Sequence, residues 1–192
     1  MERREINTKQ RIIEESMKLF SISGFDTVSI RTIAKEVGVG NSALYKHFKS
    51  KKEIFDEIVS YSVEYYKSMG NKQMAQVQSV EALQTVCLAM FEFQTKDEWM
   101  VMFRRLLMIE QFKNPEIAEI YRQFFIELPV RTQANLFKEL IIKGIMKDRN
   151  ETVLAMELYA PFYLYHLSSV SLEDLTELFK DHIKNFWENN FV

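Results

Sequence analysis

One cysteine, three prolines and five glycines are all that 192 residues contain of those types. A lone Cys87 cannot form an internal disulfide, which excludes a stapled secreted scaffold. So few helix breakers exclude a loop-rich or low-complexity chain. No apolar run approaches the ~18 to 20 residues of a membrane span. The first residues, MERREINTKQR, are charged where a secretory leader would be apolar. The expected location is therefore cytoplasmic, with no membrane partner. Catalytic frameworks are missing too: there is no Gly-rich phosphate loop, no Cys-x-x-Cys and no His-Glu-x-x-His. The three histidines, His47, His166 and His182, fall on separate segments, whereas a zinc site needs several converging ligands. No metal, no cofactor and no enzymatic activity are expected, and Cys87, on an apolar helical face, reads as packing.

What the chain does have is apolar material and an uneven charge. Hydrophobic residues make up 47% of it, enough for a sizeable core. The net charge of −2 looks unsuited to a polyanion partner. Its distribution reverses that impression. Through Lys52 there are eleven Lys and Arg against six Asp and Glu, and the remainder carries fourteen against twenty-one. A basic head on an acidic body can dock one end onto phosphates and be repelled elsewhere. Arg3 and Arg4 lie in a polar N-terminal arm of the kind that can touch a DNA backbone or minor groove.

The informative stretch is Ser29 to Phe48, SIRTIAKEVGVGNSALYKHF. Ile30, Ile33, Ala34 and Val37 recur at helical spacing behind Ser29, a candidate N-cap, and Gly38 fits a left-handed C-cap. After Gly38-Val39-Gly40, Asn41 or Ser42 is the expected cap of a second short helix whose buried side holds Leu44 and Phe48. Two helices of about two turns joined by a short Gly-containing turn make a helix-turn-helix. The second helix exposes Asn41, Ser42, Ala43, Tyr45, Lys46 and His47, a compact set of donors and acceptors that suits a major groove. An ordinary helical corner is the competing reading. Upstream, a helix is expected from Thr8 to about Ser23, closed by Gly24. Downstream, Ser50 with Glu53 forms a capping-box pattern for a helix running to about Met69, with Gly70-Asn71 as a boundary. Lys51 in that helix's first turn is a candidate phosphate ligand.

The segment SIRTIAKEVGVGNSALYKHFKSKKEIF resembles the DNA-binding segment of TetR-family transcriptional regulators. It shares their I-A-x-x-x-G-V turn, L-Y-x-H-F recognition helix and K-S-K-K-E-I-F run. The upstream I-x-E-x-x-x-x-L-F-x-x-x-G-F-D-x-x-S-I also matches. The likeness covers about residues 8 to 60. It implies an all-α fold of about nine helices. A three-helix DNA-binding domain would occupy residues 1–52, a linking fourth helix 53–70, and a larger effector-binding and dimerisation domain 71–192. It also implies a homodimer on a palindromic double-stranded operator, usually a repressor released by a small apolar or amphipathic effector. Asn41, Ser42, Ala43 and Lys46 are then expected at bases. Thr27, Arg31, Tyr45, His47 and Lys51 are expected at phosphates, Arg31 being also a candidate for a base edge. A helical protein-interaction or small-molecule-binding module without sequence-specific DNA binding stays open as the alternative.

Beyond residue 70 only periodicity speaks. Residues 72 to 95 read as one helix or two. Trp99 to Phe112 is apolar nearly all round and reads as a buried helix. Pro115 opens the next helix, and Pro129 should kink or divide it. Two strongly apolar helices follow, from Glu151 and from Ser171. The family likeness makes that last pair a dimer interface, for which Leu158, Phe162, Tyr165, Leu172, Leu175, Phe179, Ile183 and Phe186 are the candidates. An adaptable apolar effector pocket would draw on Phe91, Trp99, Met102, Phe103, Met108, Phe112, Tyr121, Phe125, Tyr159, Phe162, Tyr163 and His166.

Overall fold

In the computed structural model, residues 8–74, 79–167 and 172–192 are described, the side chains of Met74, Val80, His166, Leu167 and residues 172–174 excepted. Apart from one isolated bridge between Met146 and Phe191, the regular structure of these residues is helical. The elements are α1 (Thr8–Ser23), α2 (Ile30–Val37), α3 (Asn41–Tyr45), α4 (Lys51–Met74), α5 (Val80–Lys96), α6 (Glu98–Glu110), α7 (Pro115–Arg122), a π-helical turn (Gln123–Glu127), α8 (Leu128–Ile142), α9 (Glu151–Leu167) and α10 (Leu172–Asn190). Because α7, the π turn and α8 join without a non-helical residue, the described residues form nine continuous rods. The all-α expectation holds.

The chain divides into two compact units, Met1–Met69 with Glu98–Ala118, and Gly70–Asp97 with Glu119–Val192. In the first, the apolar faces of α1 (Ile12, Met17, Phe20), α2 (Ile33, Val37), α3 (Leu44) and α4 (Ile54, Ile58) are fully buried together with Met100, Phe103 and Leu107 of α6. The second unit is built around Phe91, Phe137, Leu158, Phe162, Phe179 and Phe186. The Phe91 ring stacks on Phe179 at 3.8 Å and meets Tyr165 and Phe162 edge-on.

Local signals explain most helix ends. Ser29 accepts from the Thr32 N–H at 3.1 Å and so caps α2. Ser29→Ala should cost about 1 kcal/mol of unfolding free energy, read from urea melts. Gly38 closes α2 at φ 77°, with Val39 N–H bonded to Ala34 O, as a Schellman motif requires. Ser50 accepts from Glu53 N–H, and the Glu53 carboxylate accepts from Lys49 N–H, completing the box ahead of α4.

Three expectations are corrected. The N-cap of α3 is Gly40, in extended backbone, not Asn41 or Ser42. The Gly40 carbonyl already accepts from Ala43 and Leu44, so helix begins one residue early and both polar side chains stay outside. Helix α4 runs through Gly70 to Met74, since one glycine costs a helix only about 1 kcal/mol. The rod is not divided at Pro129, and the turn just before it is widened. Pro129 has no N–H to give the Phe125 carbonyl one turn back. The preceding turn shifts to π spacing, with Leu128 N–H reaching Gln123 O, and the Tyr163 hydroxyl donates to Phe125 O at 3.1 Å. Burial pushes the Tyr163 phenol up to about 12, so it keeps that proton at neutral pH.

Candidate nucleic-acid interface

The geometry of α3 follows from its two anchors. Leu44 and Phe48 are buried, which turns the opposite arc outward. Asn41, Ser42, Tyr45, Lys46 and His47 are all exposed and Ala43 is half-buried. The helix is short, and its end tightens. Lys46 N–H bonds Ala43 O and His47 N–H bonds Leu44 O, an i→i+3 pattern that keeps both side chains on the outer arc. Tyr45, a large aromatic 52% exposed, has no apolar reason to be there. Arg31 and Thr27 are exposed on the same unit. The predicted base-reading set is therefore brought together on one helix, with Thr27 and Arg31 contributed by the preceding loop and α2.

Three long-range contacts hold this corner. The Arg11 guanidinium of α1 donates to the Val37 carbonyl at the end of α2. The Lys51 ammonium donates to Phe25 O at 2.6 Å, Val28 O at 2.9 Å and Asp26 O at 3.2 Å, and lies 4.4 Å from the Phe25 ring centre. From α6, the Glu110 carboxylate accepts from Phe25 N–H at 3.0 Å. Lys51 thus spends its three protons on loop carbonyls. Its place in this structure is under the loop that carries Thr27. Glu110 and Arg11 escaped the sequence reading because neither stands at a helical spacing from its partner. The signal that could have marked Glu110 is a carboxylate closing a mostly apolar run, MVMFRRLLMIE, whose other charges are Arg104 and Arg105.

The remaining candidates scatter. Trp99, Met102, Phe103 and Met108 lie on α6 in the first unit, Phe103 fully buried and Trp99 donating its indole N–H to Ser62. Phe112 lies beyond the end of α6 and is 89% exposed. Phe91, Tyr121, Phe125, Tyr159 and Phe162 are buried side chains of the second unit. The side chains of His166 and Leu172 lie outside the described residues. A cleft of about 570 Å³ does open in the second unit, against the π turn. It is lined by Ile126, Glu127, Val130, Arg131, Ala134, Asn135 and Lys138 on one side and by Glu151, Thr152, Met156, Tyr159, Ala160 and Tyr163 of α9 on the other. Of the predicted pocket residues whose side chains are described, Tyr159 and Tyr163 line it. Cys87 is no nucleophile: burial pushes its thiol up to about 12.

The dimer candidates also need correction. Leu158, Phe162, Tyr165, Phe179, Ile183 and Phe186 are buried in the chain's own core, and Leu175 packs against it. They are the inner face of α9 and α10. The apolar side chains these helices leave open are Val153, Met156, Leu164 and Leu178, with Leu164 71% exposed. Periodicity cannot tell the faces of α9 apart, since it is apolar nearly all round; in α10 it marks one stripe, Phe179, Ile183 and Phe186, and that stripe is the intrachain core face.

Comparison with known proteins agrees with this corner. Residues 12–58 match the model of the bacterial regulatory proteins of the tetR family. The HTH-type transcriptional regulator YerO of Bacillus subtilis (strain 168) is 33% identical over 132 residues, 65% of this chain. That match spans 42% of YerO's own length. The biofilm operon icaADBC HTH-type negative transcriptional regulator IcaR of Staphylococcus aureus is 27% identical over 147 residues, covering 70% of this chain and 78% of IcaR. Among solved structures, a transcriptional regulator from Aquifex aeolicus VF5 superposes with a TM-score of 0.74 at 20% identity, over 93% of this chain and 99% of that one. At that identity the structure speaks for the fold alone. Over residues 12–58, the whole helix-turn-helix, the chain is similar to the tetR family of bacterial regulatory proteins, and over nearly its full length it shares the fold of a solved transcriptional regulator.

Proposed function

We propose that the chain is a homodimeric, ligand-responsive transcriptional repressor that reads a palindromic operator with α3. The observation that carries this reading is the outward arc of α3, polar and aromatic without a break over a fully buried Leu44. Asn41, Ser42, Ala43 and Lys46 face base edges. Thr27, Arg31, Tyr45 and His47 hold phosphates and set the register. Lys51 supports them by fixing the loop below. One short helix reads few bases, so a second copy roughly 34 Å away, one helical turn along the duplex, completes the site. The open side chains Val153, Met156, Leu164 and Leu178 are where that second copy packs. Repression is supported by IcaR, which is a negative regulator.

The effector is placed in the cleft between α8 and α9. Its lining combines apolar Val130, Ala134, Met156 and Tyr159 with charged Glu127, Arg131, Lys138 and Glu151. A small amphipathic molecule fits that lining. Met156 and Ala160 belong both to the cleft and to the outward side of α9, so occupancy would bear on the packing of two copies. An effector shifts the equilibrium only by its differential affinity for the two states.

Selection of bound duplexes from a random pool tests the proposal. A palindrome with half-sites about 10 base pairs apart is expected. The operator affinity should fall log-linearly with salt, with a slope set by the phosphates engaged. A helical interaction module without DNA specificity would return no consensus and leave the protein bound, if at all, only in dilute buffer.

A further inference from the structure

We propose that Glu110 is a positioning residue for DNA recognition: from α6 its carboxylate, opposed by the Lys51 ammonium, grips the backbone of Phe25 and so sets the loop that delivers α2 and α3. The inference rests on the DNA-binding reading above.

The geometry is two-sided. Phe25 gives its N–H to Glu110 at 3.0 Å and its carbonyl to Lys51 at 2.6 Å. One residue earlier, Gly24 ends α1 at φ 81°, and a Cβ there would stand 2.5 Å from the Glu110 oxygen. The loop backbone comes up against the carboxylate at a φ that glycine adopts freely and other residues rarely do. Four residues beyond Phe25 is Ser29, the N-cap of α2. Whatever fixes Phe25 fixes where α2 starts, and the Gly38 turn transmits that to α3.

Stability does not account for the carboxylate. Glu110 is 1% exposed, and its described partners are Phe25 N–H and the Lys113 ammonium at 3.8 Å. A carboxylate with so few partners is costly to bury, a cost that stands against the one backbone hydrogen bond it accepts. The neighbours of Glu110 on the inner face of α6, Phe103, Leu106 and Leu107, show that the site would accept one. What a carboxylate provides and a methionine does not is a directed acceptor.

The test compares the full-length wild type with Glu110→Met and Glu110→Gln, using the duplex recovered by selection and an unrelated duplex. Glu110→Met should keep Tm close to that of the wild type, the relieved burial of the carboxylate offsetting the Phe25 N–H left without an acceptor, lose about tenfold in affinity for the selected duplex, and keep its affinity for the unrelated one at low salt. Glu110→Gln retains the acceptor oxygen and should bind within about threefold of the wild type. Equal operator affinity in wild type and Glu110→Met overturns the proposal. Absence of any duplex preference in the wild type overturns the DNA reading itself, a different result. If Glu110→Met melts below the wild type, Glu110→Asp decides. It keeps the charge, withdraws the acceptor by one methylene, and must show the same loss of specific affinity, or the proposal falls.

Discussion

Replacing Tyr45 and Lys46 together by alanine is expected to lower operator affinity by at least roughly a hundredfold, from about 1–3 kcal/mol for each side chain withdrawn from the DNA. Both side chains are exposed and make no packing interaction that the core needs. Thermal stability should therefore stay within about 0.5 kcal/mol of the wild type. The two effects are separable. Lys46→Ala alone should weaken the selected duplex more than an unrelated one, because it faces bases. Tyr45→Ala alone should weaken both alike, because it holds the backbone. Fluorescence anisotropy at several salt concentrations reads both effects. A double variant that binds its operator as the wild type does would remove α3 from the interface.

Phe91→Ala should destabilise the second unit by about 3–5 kcal/mol, the range for truncating a buried phenylalanine. Phe91 is 1% exposed and is gripped by Phe179, Phe162 and Tyr165. Those rings come from α9 and α10, so the cavity left behind cannot collapse by moving one element. A urea melt followed by circular dichroism gives the value. The experiment also separates two roles for this residue. Had Phe91 lined an effector cavity, its truncation would enlarge the cavity at small cost in stability and alter the ligand response. In the α5–α9–α10 core it should do the reverse. A drop below about 1 kcal/mol would contradict the packing described.

Legibility in the sequence tracked the range of the interaction. Ser29 and its Thr32 N–H, the Gly38 turn, Ser50 with Glu53 and the Leu44–Phe48 anchor pair all act over three to five residues. Each leaves a signature in residue type and spacing, so the corner and its outward arc were readable. Even there one local detail escaped: Gly40, in extended backbone, caps α3 in place of the polar residues beside it. Pro129 announced a disturbance but not its form. Whether a rod kinks or widens depends on what is at hand for the freed carbonyl, and here that is Tyr163, 38 residues on.

By itself, then, the sequence determined that the chain is helical, that it carries a helix-turn-helix, and which side chains that motif turns outward. Periodicity and capping chemistry are properties of neighbours along the chain. Only the tertiary structure decided that Lys51 serves the loop and that Glu110 reaches Phe25 across 85 positions. It alone decided that Leu158 and Phe162 of α9 face inward while Leu164 faces out. An all-apolar helix such as α9 offers several equivalent faces. Which of them is buried is settled by the shape of α5, α8 and α10 packed around it, and no local pattern encodes that.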